Sequence, residues 1–296
     1  MGMFFYFDQR EISLDDPIRH VKDDYLQVFG RQELKSYLLS ELCALDMLYA
    51  MTTMKEGYYK ERLVLKGGHS VRNLVPLEDH RFSFDADFNL NSPAGYTYGD
   101  IDNMKKDLHG FASKRGCTTT LTVTKENPWY FLQVNYKNEL QKIGLDLVEP
   151  PKIEICKTCR THETPIISKM NTMIDLEAMG LEPPELAHLS LEEQLENKLY
   201  VIGDSSRIRN HFDAYDAFRI CNNNEIDWKK TKSLFEEAVE QSKRKPSDYV
   251  QECRRMLDTM KKHAGKRKRL ADTVFHSGDF DFDDMIYTVK SYYDFK

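Results

Sequence analysis

Two aspartates, Asp85 and Asp87, stand two residues apart, about eighteen residues after the glycine pair Gly67-Gly68. Side chains two apart in a β-strand leave the same face. Phe82 to Leu90 alternates as a strand would, so both carboxylates point together. Carboxylates held side by side repel one another unless a cation sits between them. Upstream, Arg62-Leu-Val-Leu-Lys66 reads as a short buried strand, Gly67-Gly68 as the tight turn that stops it, and His69-Ser-Val-Arg-Asn-Leu74 as the first turns of a helix. Backbone N–H groups at such a turn attract anions. A glycine turn for phosphate and a carboxylate pair for a cation are the chemistry of a metal-dependent phosphate site.

Other readings of Asp85-Ala-Asp87 compete. A calcium loop that opens Asp-x-Asp-x-Asn needs Gly at its sixth position and Glu at its twelfth, where this chain has Leu90 and Tyr96, so that reading fails. A glycosyltransferase also holds a nucleotide sugar through a metal on an Asp-x-Asp, and the glycine turn argues against it. Two solvated surface aspartates fit poorly with Phe82, Phe84, Phe88 and Leu90 around them, because buried carboxylates are rare unless paired or metal-bound.

The elements that must position these groups follow from pattern. Gln32 to Met51 carries apolar residues at 34, 38, 42, 45 and 48, an amphipathic helix. Asp100 to Arg115 reads as a helix, Cys117–Thr124 and Trp129–Tyr136 as β-rich runs around Asn127-Pro128, Gln141–Val148 as a further strand, and Lys152–Cys156 as a short edge strand. Beyond about residue 165 strands are expected to stop. Ser190-Leu-Glu-Glu193 is a capping box, with Glu193 reaching back to the cap, and helices are expected over Arg209–Cys221, Asp227–Lys243, Ser247–Lys262 and Asp283–Tyr293. The expected fold class is α+β: a small mixed-sheet core with helices, followed by an all-helical C-terminal domain. The expected divisions are an N-terminal helical segment at 1–60 packing on the core, an α/β core at 61–160 and a helical domain at 161–296.

An apolar content of 41% and an aromatic content of 11% are those of an ordinary globular protein, and no apolar run approaches a bilayer span. The start, Met-Gly-Met-Phe-Phe-Tyr-Phe-Asp, lacks the features of a secretory signal, so a cytoplasmic location without membrane contact is expected. The six cysteines are scattered, which fits reduced thiols. Cys156-Lys-Thr-Cys159 with His162 has half the spacing of a zinc site and no second pair to complete it. The net charge of −6 conceals an asymmetry: Ser242 to Leu270 holds eleven Lys or Arg against three Asp or Glu, a local +8 that leaves −14 elsewhere. Such a stripe suits a polyanion such as RNA, or a solvated helix face.

The segments Lys66-Gly-Gly-His-Ser-Val-Arg-Asn-Leu and Arg81-Phe-Ser-Phe-Asp-Ala-Asp-Phe together resemble the glycine motif and Arg-x-Ser-x-Asp-x-Asp signature of the AbiEii-type nucleotidyltransferases. These are toxins of type IV toxin–antitoxin and abortive-infection systems and include the MenT enzymes. The family's later Lys-Leu pair and helical Asp-x-x-Asp are matched by Lys198-Leu199, Arg207/Arg209 and Asp213-Ala-Tyr-Asp216, so the similarity spans roughly residues 30 to 225. The chain departs from the pattern at His69, where threonine is common, at Phe84, where a polar residue is common, and at Phe212, where Arg is common.

The resemblance implies a polymerase-β-like nucleotidyltransferase that moves a nucleotide from an NTP to an acceptor hydroxyl of RNA, by implication a tRNA 3′ end, in a toxin with a cognate antitoxin. It implies two Mg²⁺ ions on Asp85 and Asp87, with a third carboxylate from a neighbouring strand, for which Asp146 is the candidate and Glu149 the fallback. It implies catalytic roles for Asp85, Asp87, Lys198 and Asp213. Gly67, Gly68 and Ser70 would meet the phosphates, Lys66 and Arg72 would add charge, and Asp216 would assist, with the active one of Asp213 and Asp216 left open. His69, His80 and His211 are unassigned. A catalytically idle RNA- or protein-binding module on the same fold is the alternative of a different class.

Overall fold

The computed structural model describes residues 21–23, 31–53, 58–60, 62–83, 85–90, 98–113, 118–123, 129–135, 152–274 and 281–296. The chain divides into two units. The first comprises residues 1–70, 82–161 and 165–188, and the second 71–81, 162–164 and 189–296.

The first unit is built on a seven-stranded mixed sheet. Its strands are β1 (Leu63–Lys66), β2 (Asp85–Leu90), β3 (Thr118–Val123), β4 (Trp129–Asn135), β5 (Lys152–Arg160), β6 (Ile166–Lys169) and β7 (Glu185–His188), in the order β3-β4-β5-β2-β1-β7-β6. β2 lies between β1, antiparallel to it, and β5, parallel to it. One face of these central strands is apolar, with Leu65, Ala86, Phe88, Ile153 and Ile155 all fully buried. Burying each such large side chain stabilises by about 1.5–3 kcal/mol. The opposite face of the same strands is therefore free to carry polar chemistry.

Helix α1 (Arg31–Thr53) is more deeply placed than an amphipathic pattern predicts, since Ser40, Glu41 and Asp46 are as buried as Leu42, Leu45 and Leu48. Glu41 Oε1 accepts from the Met173 backbone N–H. Helix α2 (Gly67–Val71) follows β1 directly, and helix α3 (Tyr98–Ser113) contributes Ile101, Met104, Leu108 and Ala112 to the core.

Two expectations are corrected here. Strands do not stop near residue 165, because β6 and β7 extend the sheet to residue 188, and the helical part begins only at Leu191. Lys152–Cys156 is not a short edge strand either: β5 is nine residues long and lies between β2 and β4. The expected strand at 141–148 lies outside the described residues.

The second unit is helical: α4 (Leu191–Ile202), α5 (Asn210–Asn223), α6 (Trp228–Gln241), α7 (Pro246–Lys261), α8 (Ala264–Ala271) and α9 (Phe282–Tyr292). Ser190 caps α4 by accepting from the Glu193 N–H at 3.3 Å. The Glu193 carboxylate does not close a reciprocal box but accepts from the backbone N–H groups of His162 at 2.8 Å and Glu163 at 3.3 Å. Around α4 the core gathers Leu195, Leu199, Phe235, Tyr249, Cys253 and Tyr293, and the buried tyrosine hydroxyls donate to the carbonyls of Tyr200 and Leu199. Among the described residues no helix is long and apolar enough to cross a membrane.

Cys43, Cys221 and Cys253 are free thiols, but Cys156 is disulfide-bonded, which corrects the expectation of thiols throughout. Sequence spacing does not reveal the Cα separation and Cβ direction on which a disulfide depends. The disulfide also removes Cys156 as a thiolate ligand for the partial zinc spacing.

Candidate active site

In the first unit the register of three strands assembles a polar face. Asp87 on β2 stands opposite Lys66 on β1 and Glu154 on β5, and Asp85 stands opposite Lys152. Residues directly opposite one another share a face, and so do residues two apart. Asp85, Asp87, Lys152 and Glu154 therefore form one cluster, with Lys66 beside it and 5% exposed. Lys152 Nζ bonds Glu154 Oε1 and lies 3.7 Å from Asp85 Oδ2.

The electrostatics show how crowded the negative charge is. Burial, and then the Asp87 charge, push the Glu154 carboxyl up to about 7 against the opposing pull of Lys152. Burial alone would lower the Lys152 ammonium, but Asp85 and Glu154 outweigh it and raise it above the ordinary lysine value. Like-charged carboxylates at this spacing favour any additional cation.

The glycine turn reaches the same cluster. Gly67 has φ +75°, a left-handed conformation that side chains disfavour, and a Cβ placed on it would lie 2.4 Å from Asp87 Oδ2. Backbone thus approaches the carboxylate where any other residue would fill the space. Ser70, 2% exposed, has its hydroxyl 3.4 Å from Nδ1 of His188, whose imidazole is pushed down to about 4 by burial and stays neutral near pH 7. Gly68 and His69 are buried within α2.

Three carboxylates offer only oxygen donors, a set suited to a hard cation such as Mg²⁺ and not to thiolate-seeking metals. Among the described residues no group of three or more His, Cys, Asp or Glu side chains stands close enough together to hold a metal ion. Lys152 supplies the counter-charge between Glu154 and Asp85 instead. Of the carboxylates read from sequence, Asp85 and Asp87 are in the cluster, whereas Asp146 and Glu149 lie outside the described residues. Glu154 was missed. Its signal was present in the Lys152-Ile-Glu-Ile alternation, which repeats the polar-apolar pattern of Asp85-Ala-Asp87-Phe.

The second unit holds a separate ion network. Lys198 Nζ on α4 donates to Asp213 Oδ1 at 3.1 Å and pairs with Asp216 Oδ2 at 2.7 Å, both carboxylates rising from the first turns of α5. Arg81 grips Asp216 with two parallel bonds of 2.7 Å, and its guanidinium lies 5.0 Å from the Phe212 ring centroid. Arg207 Nε donates to Asp213 Oδ2 at 2.8 Å. Lys198, Asp213 and Asp216 are each no more than 3% exposed, while the Arg207 side chain is 40% exposed.

Burial alone would raise Asp213, but Arg207, Lys198 and Arg81 overcome it and hold the carboxyl at about 2. Asp216 is likewise lowered, by Arg81 and Lys198 against burial. Asp216 is closed from two sides by buried partners, whereas Asp213 keeps one partner, Arg207, that reaches solvent. Arg72, buried, donates from Nη2 to the Arg81 carbonyl at 2.9 Å, and His80 Nε2 bonds the carbonyls of Arg72 and Val75. These bonds fix the segment that delivers Arg81. The chain then crosses into the first unit at Phe82, three residues before Asp85.

Residues 50–285, well over half of the 296-residue chain, match the family model for the nucleotidyl transferase AbiEii toxin of type IV toxin–antitoxin systems. The chain belongs to the AbiEii family of nucleotidyltransferase toxins. The fold is similar to that of MenT4, a nucleotidyltransferase toxin from Mycobacterium tuberculosis H37Rv, with a TM-score of 0.60 and 15% identity over 92% of this chain and 89% of that one. No curated protein sequence matches. As an AbiEii toxin the chain is an enzyme with a nucleoside triphosphate substrate and an antitoxin partner, so the glycosyltransferase and idle-module readings fall.

Proposed function

We propose that this AbiEii toxin transfers a nucleotide from an NTP to a hydroxyl of RNA, the 3′ end of a tRNA, with Mg²⁺ bound by Asp85, Asp87 and Glu154, in the cytoplasm. The observation that carries the metal is the three-strand register that sets three carboxylates on one face and holds the Glu154 carboxyl at about 7. Two Mg²⁺ ions, when bound there, would supply charge neutralisation at the triphosphate and an activated acceptor oxygen. In the transfer a bond forms from the acceptor oxygen to the α-phosphorus, the bond to the bridging oxygen breaks, and pyrophosphate leaves.

The protein's own groups have distinct tasks. Gly67 keeps the space beside Asp87 clear of any side chain, and Gly68 and Ser70 continue that turn as phosphate donors. Lys66, in register with Asp87, adds positive charge on the phosphate side. In the second unit Lys198 is assigned to phosphate contact and Asp213 to the catalytic role, since its Arg207 partner is half-exposed and displaceable. Asp216 is the residue that, with Arg81, holds Lys198 in place. Arg72 acts through the Arg81 carbonyl.

The test is direct. Each α-labelled NTP is incubated with Mg²⁺, total RNA and the protein, beside an Asp87→Ala variant. Label transfer with at least one NTP, lost in the variant, is the expected result, and a tRNA-sized labelled product identifies the acceptor. No label transfer with any NTP would sink the proposal.

A further inference from the structure

The second unit contains a cluster of buried polar atoms that the ion network does not use. Asn210 and His211 open helix α5 and are 0% and 1% exposed. Asn210 Oδ1 accepts from Lys266 Nζ on α8 at 2.6 Å. Lysine carries only donors, so the oxygen must face it, and the amide's assignment is fixed by chemistry. Nδ2 sits on the same carbon and is therefore held beside the ammonium, yet it has no hydrogen-bond partner. Both ring nitrogens of His211 are also buried without a partner, and its ring packs against Phe212 at 4.2 Å.

Buried polar atoms in native proteins are nearly always bonded, so three orphans on adjacent residues point to a missing ligand. The charged groups facing His211 are Lys266 and Arg269 from α8, Arg81 from the segment before β2, and Asp213 from its own helix. The cations outnumber the carboxylate. Lys266 is the half-exposed member, and burial lowers its ammonium, as expected of a charge without a counter-ion. Among the described residues neither Lys266 nor Arg269 has a carboxylate partner, unlike Arg267, which pairs with Asp283 at 2.6 Å. The Asn210 amide donor and the excess of cations around His211 suit an anion.

We propose that Asn210, His211 and Lys266, with Arg269 at the rim, bind a backbone phosphate of the acceptor RNA. This rests on the reading that the acceptor is RNA. The alternative source of the same phosphate chemistry is the NTP itself. RNA is favoured because further exposed cations, Lys261, Lys262 and Lys268, lie in the same stretch of chain as Lys266 and Arg269, more than a single triphosphate needs. Such an excess of cations suits a polyanion.

The experiment measures binding of a short fluorescein-labelled single-stranded RNA to the full chain by anisotropy, without NTP, over a range of salt. Lys266→Gln with Arg269→Gln should weaken binding about tenfold and reduce the slope of log K against log salt by about 0.7, the value for one phosphate contact on a single strand. His211→Phe should weaken binding severalfold with the slope unchanged, since it removes a neutral donor. Lys290→Gln, which removes a cation already paired with Asp258, should change neither. NTP affinity in Mg²⁺ should be unaltered in all of them. Unchanged RNA affinity in the double variant, or a loss of NTP affinity in its place, would overturn the proposal. Should the parent bind RNA with these dependences yet transfer no label, the phosphate site stands and the acceptor assignment fails. The double variant alters half-exposed and exposed side chains, so it tests the site even where His211→Phe folds poorly.

Discussion

Replacing Gly67 by alanine tests whether the glycine turn and the carboxylate cluster are one device. The added Cβ would stand 2.4 Å from Asp87 Oδ2, 3.2 Å from its Cγ and 3.3 Å from its Cβ. Ordinary carbon–oxygen contact is about 3.5 Å, so the carboxylate oxygen must retreat by about 1 Å. Alanine at φ +75° adds about 1–2 kcal/mol of backbone strain. The total loss of stability is about 2 kcal/mol, a fall in Tm of about 4–8 °C for a protein of this size. A displacement of about 1 Å at a reacting group lowers rate by about 100-fold. Gly203→Ala supplies the control, since its Cβ would meet Cys253 Sγ and Tyr249 Cζ at 2.7 Å, in the helical core of the second unit. Both variants should melt early in a thermal scan. At a temperature where both are folded, only Gly67→Ala should lose label transfer. A folded Gly67→Ala protein that transfers label within threefold of the parent would refute the reasoning.

Three further outcomes are expected. Lys198→Met strips one buried cation from Asp213 and Asp216, so urea unfolding should show a loss of about 3–5 kcal/mol and transfer should vanish. The folded chain protonates Asp213 only at about 2, and the unfolded chain near 4, so acid favours the unfolded state between those values. About 2 kcal/mol of stability should be fully present above pH 5 and lost as pH falls through about 2, visible as an acid limb in Tm against pH that is absent in Asp213→Asn. Gly110→Ala, in the exposed turn of α3 with nothing within 4 Å of the added Cβ, should raise stability by about 0.5–1 kcal/mol in the same urea assay without altering transfer.

What was legible in the sequence is what local pattern encodes. The Asp85/Asp87 face follows from strand periodicity, the Ser190 cap from residue type, and helices α4 to α7 and α9 from apolar spacing bounded by Asn, Pro and Gly. Less legible were features decided by distant partners. The Glu193 side chain suits a capping box, yet two backbone N–H groups at residues 162 and 163 bind it instead. Strands β6 and β7 are four residues each, too short to show alternation, and they exist because β1 offers its free edge to β7. The Phe212 departure from the family's arginine gains sense only from Arg81, whose guanidinium faces that ring while gripping Asp216. Helix α8, an eight-residue stretch dominated by Lys and Arg, has no apolar period to announce it.

Strand β5 shows why Glu154 was hard to place from the sequence. In an open sheet a run such as Lys152-Ile-Glu-Ile reads as an edge, because charge in a central strand is costly unless it is compensated. β5 is central nevertheless, and its Lys152 and Glu154 leave on the face shared with Asp85 and Asp87. The penalty that should have pushed Glu154 to the surface is instead retained at the cluster, as a carboxyl raised to about 7 and a lysine held between acids. A bound cation, as proposed for this cluster, would relieve such charge. The same logic applies to Asn210 and His211, whose buried polar atoms lack hydrogen-bond partners. In both units the departures from ordinary burial, not the regular elements, are the grounds on which ligands are proposed.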